Sequence, residues 1–365
     1  MHLDDLSTPA LLLDIDKLDR NLGWMAERAT SLGVLLRPHV KTHKCIEIGK
    51  RQLNYGARGI TVSTLHEARA FADNGFNDIT WAFPVIPSRI REACELTERT
   101  RLQLVIDSED TLTQLERCGT PFPVWVKADC GYHRAGVDPK GNLPGRLARM
   151  ITDSPRLEFA GLLSHSGHAY NTTGDVVSEI AEEERAVMVT LAERLRAEGI
   201  FVPGISVGST PAMRKVKHLD GVSEARPGNY ALFDFSQVAI GSCTPSECAA
   251  TILTTVVSSQ PTASHCIVDA GALALSKDPG PPPPFGPTMG ETFADYDAGT
   301  LSEEVRIVSL SQEHGRVRVP LKVGTRLRVL PNHSCLTVAQ FNELVVVQGE
   351  TVVERWRVWN GRSLI

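Results

Sequence analysis

Between residues 34 and 233 the chain alternates short apolar runs with stretches whose apolar residues recur at helical spacing. Eight runs stand out: VLLRPHV (34–40), GITVST (59–64), DITWAF (78–83), LQLVID (102–107), PVWVKAD (123–129), EFAGLLSH (158–165), GISVGS (204–209) and EARPGNYALF (224–233). They are apolar rather than strictly alternating, as strands buried on both faces are. Helical patterns separate most of them. TLHEARAFADNG opens on Thr64 with Glu67 three residues on, a capping box, and stops at Gly75. GDVVSEIAEEERAVMVTLAERLRAEG is the longest and also closes on glycine. PSRIREACELTER begins on proline, which a first helical turn tolerates. Eight strand–helix units in about 200 residues predict a closed (β/α)8 barrel. An open doubly wound sheet is the alternative, but it usually carries a glycine-rich phosphate loop after its first strand. Here that strand ends in basic residues.

After residue 240 the texture changes. TILTTVVSS, HCIVDAGALAL, EEVRIVSLSQEHG, TRLRVLPNHSC and ELVVVQGETVVERWRVW are β-type runs with turns and hardly any helix, predicting a separate all-β domain. TPALLLDID (8–16) is another β-type run, expected to pair with that domain. The expected boundaries are therefore a barrel over 17–240 and a β domain formed by 1–16 and 241–365. Within it, DPGPPPPFGPTMGE (278–291) has four successive prolines and predicts a stiff extended loop.

Composition narrows the function. A 42% hydrophobic content is ordinary for a globular protein, and the net charge of −5, with Lys and Arg scattered, offers no basic face for nucleic acid. The apolar runs are too short and too polar to span a bilayer, so no membrane partner is expected. The segment MHLDDLSTPA has no apolar core of the secretory kind. Eight dispersed cysteines without a C-x-x-C pair read as free thiols, and the expected location is the cytoplasm.

Candidate chemistry gathers where strands finish, the working face of such a barrel. The first strand ends in RPHVKTHK, with Lys41, His43 and Lys44; beyond the fifth come Asp129, Tyr132, His133 and Arg134. The sixth ends in SHSGHAY (His165, His168, Tyr170), the seventh in GSTPA (Ser209, Thr210), and the eighth carries RPGNY (Arg226, Gly228, Asn229). The loops after strands seven and eight are the usual phosphate site of this fold. There GSTPA offers hydroxyls and a Pro-started helical turn, and Gly228 a closely approachable backbone. A lysine in a water-poor mouth near other cations becomes a nucleophile toward carbonyls. Lysine plus a phosphate cup points to pyridoxal phosphate held as a Schiff base on Lys41; a merely solvated strand end is the other reading. In PNHSCLT, His333 and Cys335 lie two apart and can face one cation such as zinc, or be a coincidental pair.

The same segments, with GITVSTLHEA, DCGYHRAGV, VDAG and LPNHSC, resemble the D-serine dehydratase family over nearly the whole chain and in order. That family belongs to the alanine-racemase-like, fold-type III pyridoxal-phosphate enzymes, with D-threonine aldolases and D-threo-3-hydroxyaspartate dehydratases as close relatives. The resemblance implies that Lys41 carries the cofactor and acts as the base for the Cα proton. It also implies that Tyr170, Thr210, Gly228 and Asn229 contact the cofactor, that His165 lies against its ring, and that Arg134 is near its phenolic oxygen. Ser209 joins the cofactor contacts by its place in GSTPA. His333 and Cys335 match the zinc ligands, with manganese or another divalent metal as the alternative. The implied reaction removes water and then ammonia from a β-hydroxy-D-amino acid, in a homodimer. The alternative is aldol cleavage of such a substrate to glycine and an aldehyde. The aldolase pattern has Gly where this chain has Val40, and Asp where it has Cys335, and both differences favour the dehydratase. One departure is visible: Leu163, seven residues before Tyr170, stands where the dehydratases have tyrosine.

Overall fold

The computed structural model describes residues 1–281 and 287–361, so the proline run falls mostly outside the described residues. The chain divides into two compact units, one of Met1–Trp24, Thr42–Ile48 and Asn229–Asn360, the other chiefly of Met25–Lys41 and Gly49–Gly228.

The second unit is a parallel barrel. Following a first strand, β1 (Ala10–Asp14), which belongs to the other unit, its strands are β2 (Leu35–Leu36), β3 (Ile60–Val62), β4 (Asp78–Pro84), β5 (Arg101–Ile106), β6 (Phe122–Lys127), β7 (Leu157–Leu163), β8 (Ile205–Val207) and β9 (Glu224–Ala225). They pair in the order β2-β9-β8-β7-β6-β5-β4-β3. A parallel bridge between His39 and Thr61 closes the ring, and the Thr61 N–H donates to the Pro38 carbonyl at 2.8 Å. The predicted barrel and all eight strands are present. Regular pairing of the first and eighth runs ends at Leu36 and Ala225, although the His39 N–H still donates to the Pro227 carbonyl at 2.9 Å. Each is followed by Arg-Pro, at 37–38 and 226–227, and proline has no N–H to offer a ladder. Beyond the last sheet contacts the chain forms the 3-10 turns Val40–Thr42 and Asn229–Ala231.

Polar side chains cross the buried barrel interior in one connected chain. Arg37 donates to Glu224 (2.6 Å) and Asp78 (2.9 Å), Gln103 donates to Asp78 (2.6 Å), and Trp125 to Gln103 (2.7 Å). Ser206 donates to Glu224 at 2.7 Å, and Arg226 donates to Ser206 and to the Ser164 carbonyl. Each charged group of this chain of contacts thus has a partner, the condition for tolerating charge in a core.

The first unit is built on a mostly antiparallel sheet: β10 (Ala250–Ser259), β11 (Cys266–Val268), β12 (Gly290–Asp295), β13 (Thr300–Leu310), β14 (Gly315–Val317), β15 (Arg326–Leu330), β16 (Glu343–Gln348) and β17 (Thr351–Arg357), with β1. The order is β11-β14-β13-β12-β15-β10-β1-β16-β17, and β10 also pairs with β11, so six strands close on themselves. β1 runs antiparallel to β10 and parallel to β16. Two of the β-type runs hold short helices, Ala272–Leu275 and Ser334–Val338. The second starts just after His333, so the His-x-Cys pair lies at a helix start within a region patterned as β. Among the described residues no helix is long and apolar enough to cross a membrane.

Candidate active site

In the barrel unit the candidate groups gather around His165. Lys41 lies in its 3-10 turn, half-buried, its N–H donating to His39 Nδ1 at 3.4 Å. His165 pairs through Nδ1 with the Gly208 carbonyl at 3.3 Å. A carbonyl only accepts, so Nδ1 carries the proton and Nε2 keeps its lone pair. Burial, and then the charges of Lys41, Arg134, Lys127 and Arg226, hold the His165 pKa well below its ordinary value. Its imidazole is therefore neutral, and four cations lie within its electrostatic reach.

The cations also act on each other. Lys127, at the end of β6, is 5% exposed; burial, then Arg226 and Arg134, lower its pKa to about 8. An anion would relieve this repulsion. The Gly208-Ser209-Thr210 segment lies at the end of β8, with Ser209 and Thr210 buried. Ser209 caps the helix Thr210–Lys215, accepting from the Ala212 N–H at 3.3 Å. Glu184, reaching in from helix Asp175–Ala197, accepts from Ser164 (2.7 Å), Ser166 (2.6 Å) and the Gly208 N–H (3.4 Å), tying the ends of β7 and β8 together.

Tyr170 is half-buried in the 3-10 helix Gly167–Asn171. Tyr132 covers that helix: a Cβ on Gly167 would sit 2.2 Å from its ring. The same ring stacks on His168 at 6.1 Å and has the Arg134 guanidinium 4.9 Å above it. Asp129 holds this loop, accepting from the N–H groups of Gly131 (3.1 Å) and His133 (3.0 Å). Of the other histidines, His43 is fully buried and accepts from the Cys45 N–H at 3.1 Å. Leu163 packs with Val105 and Trp125 in an apolar cluster.

In the β unit, His333 Nδ1 is 2.5 Å from Asp278 Oδ2, and the Cys335 thiol donates to Thr42 Oγ1 at 3.2 Å. Burial opposes the charged imidazolium of His333, but Cys335 and Asp278 outweigh it and push its pKa up to about 11. Asp234 accepts from the Ser334 N–H (2.9 Å), the Ser334 hydroxyl (3.1 Å) and the Asn229 amide (2.6 Å). Asn229 is buried, and its Oδ1 has no protein partner. His333 and Cys335 therefore stand together on a braced turn, an imidazole-and-thiolate set that suits zinc. Among the described residues no group of three or more metal-binding side chains forms a closed site. Pattern reasoning missed Lys127, Glu184, Asp234 and Asp278.

The comparisons agree with this architecture. The alanine racemase N-terminal domain model matches residues 13–234, and a serine dehydratase domain model matches 249–347. D-threo-3-hydroxyaspartate dehydratase of Delftia sp. (strain HT23) is 36% identical, with 98% of each chain covered. The chain belongs to the D-serine dehydratase family of alanine-racemase-like proteins. Its D-serine dehydratase member from Dictyostelium discoideum is 35% identical, over 96% of each chain. A solved structure in the family, a Cys-to-Ala variant of D-threo-3-hydroxyaspartate dehydratase in the metal-free form, superposes with a TM-score of 0.94 at 35% identity. That match covers 99% of this chain and 100% of the other.

Proposed function

We propose that this chain is a lyase dependent on pyridoxal phosphate and zinc that converts a β-hydroxy-D-amino acid, such as D-serine or D-threo-3-hydroxyaspartate, to an oxo acid and ammonia. The observation that carries the reading is the cluster of Lys41, Lys127, Arg134 and Arg226 around a neutral His165. Its mutual repulsion favours an anionic ligand, which fits a phosphate-bearing cofactor. Lys41 would hold that cofactor, with Tyr170, Ser209, Thr210, Gly228 and Asn229 as its further contacts, His165 at its ring and Arg134 at its phenolic oxygen. Pyridoxal phosphate, when bound, supplies an electron sink for the charge left at Cα.

The chain's own groups do the proton work. The Lys41 amine takes the Cα proton of the substrate as general base. His165, kept neutral by its surroundings, adds no further positive charge beside it. His333 and Cys335 would hold a divalent metal, which supplies Lewis acidity for departure of the β-hydroxyl. The thiolate favours zinc, with manganese or another divalent ion as the alternative. Cys335 in place of aspartate, and Val40 in place of glycine, favour elimination over aldol cleavage.

We further read the protein as a cytoplasmic homodimer, supported by the family resemblance; a monomeric mass at full activity would overturn the dimer. Product analysis on D-serine, D-threonine and D-threo-3-hydroxyaspartate tests the reaction. Oxo acid and ammonia are expected. Glycine and an aldehyde as main products would replace the reading with the aldolase one.

A further inference from the structure

The geometry points to Asp278 as a positioning residue that fixes the tautomer and aim of His333 toward a divalent metal, an inference that rests on the metal reading above. Asp278 Oδ2 lies 2.5 Å from His333 Nδ1 across 55 residues of chain. A carboxylate accepts, so Nδ1 keeps its proton toward Asp278 and Nε2 is the nitrogen that gives up its proton to a metal. The main chain carrying Asp278 is itself tied down. Its N–H donates to Ser276 Oγ at 3.2 Å, and its carbonyl accepts from the Asn332 amide at 3.1 Å. The same Asn332 amide donates to the Thr288 carbonyl at 2.8 Å, where the Gly280 N–H also bonds at 3.3 Å. The residue just before His333 thus anchors the segment that presents Asp278.

A second carboxylate braces the other half of the pair. Asp234 holds the Ser334 N–H at 2.9 Å and its hydroxyl at 3.1 Å, fixing the backbone between His333 and Cys335. Asp234 sets where the turn sits; Asp278 sets how the imidazole is rotated on it. With two protein donors among the described residues, affinity depends heavily on that rotation, because a flexible ring must be ordered when the metal binds.

The test is zinc affinity by chelator competition on the cofactor-loaded full chain, for wild type, Asp278→Asn and Asp278→Ala. D278A is expected to bind zinc about 10- to 100-fold more weakly. D278N, whose amide oxygen still accepts from Nδ1–H, loses less. With cobalt in place of zinc, the cobalt–thiolate absorption from Cys335 is expected to shift in D278A. Cofactor absorbance and melting temperature on the same samples separate this from unfolding; should D278A not fold, D278N decides. Wild-type affinity in the folded variants overturns the positioning role alone. A wild type that takes up no zinc overturns the metal reading and this inference with it.

Discussion

Lys41 and its neighbours come from strand ends spread along the whole barrel, whereas His333 and Cys335 come from one turn. The two centres also differ in their electrostatics. In the barrel unit, burial and like charges push Lys127 and His165 toward their neutral forms. In the β unit, Asp278 and Asp234 already satisfy the groups around the metal pair. The first centre waits for an anion to resolve its conflict; the second is organised before any ligand arrives. A site that is poor without its ligand gains the most from binding it, since ligand binding relieves a cost the free protein carries. A braced site gains little order on binding and changes little when emptied.

Breaking the barrel centre should have the largest effect. Lys41→Ala is expected to lower turnover on the order of 10⁴-fold or more and abolish the visible absorption of bound cofactor, while zinc uptake is unchanged. Borohydride reduction of the wild type should fix cofactor to Lys41; a label on Lys44 would sink the assignment.

Emptying the β centre should be selective. Chelation, or Cys335→Ala, is expected to cut oxo acid formation on the order of 10³-fold, mainly in kcat. Cofactor absorption and exchange of the Cα proton with solvent should persist, because Lys41 needs no metal to act as base. Undiminished oxo acid formation after chelation would return Cys335 to being an ordinary thiol.

The conflict in the barrel is open to a stability measurement. The Lys127 pKa is about 8 in the fold, against about 10.4 for an exposed lysine. Between those values the unfolded chain holds a proton that the fold does not, so stability rises with pH across that window. At pH 7 both states are protonated and the full cost applies, on the order of 3 kcal/mol. Lys127→Met should raise the melting temperature of cofactor-free protein at pH 7, and its advantage should shrink toward pH 10. Lys17, also lowered to about 8, is common to both chains and cancels in the difference. The same variant should bind cofactor more weakly; a melting curve identical to wild type would remove the conflict. The smallest effect is expected from Cys335→Asp, a few-fold shift in metal preference from zinc toward manganese, read by competition between the two ions.

Legibility in the sequence follows the same divide. The eight strands were readable because burial on both faces leaves continuous apolar runs. Regular pairing of β2 and β9 stops before Pro38 and Pro227, which bring no N–H, while the sequence pattern runs on; isolated bonds such as His39 N–H to the Pro227 carbonyl carry the sheet a little further. Lys127 was invisible because a lysine at a strand end reads as solvent-facing; only the packing reveals it as buried. Asp278 and Asp234 carry no spacing signal toward His333, and only the folded chain brings them to it. The His-x-Cys pair could be seen because both donors sit in one short motif, but its place at a helix start could not, in a region patterned as β.

One consequence concerns the order of events during synthesis. β1 lies between β10 and β16, pairing Leu12 with Thr251 on one side and Val345 on the other. A ribosome adding about 5–20 residues per second needs on the order of 10–50 seconds to travel from β1 to β10, its first neighbour. Through that interval the apolar segment Ala10–Leu13 has neither neighbour. It is the longest-waiting strand of its sheet, and therefore the place where a nascent chain would first need shielding from other chains.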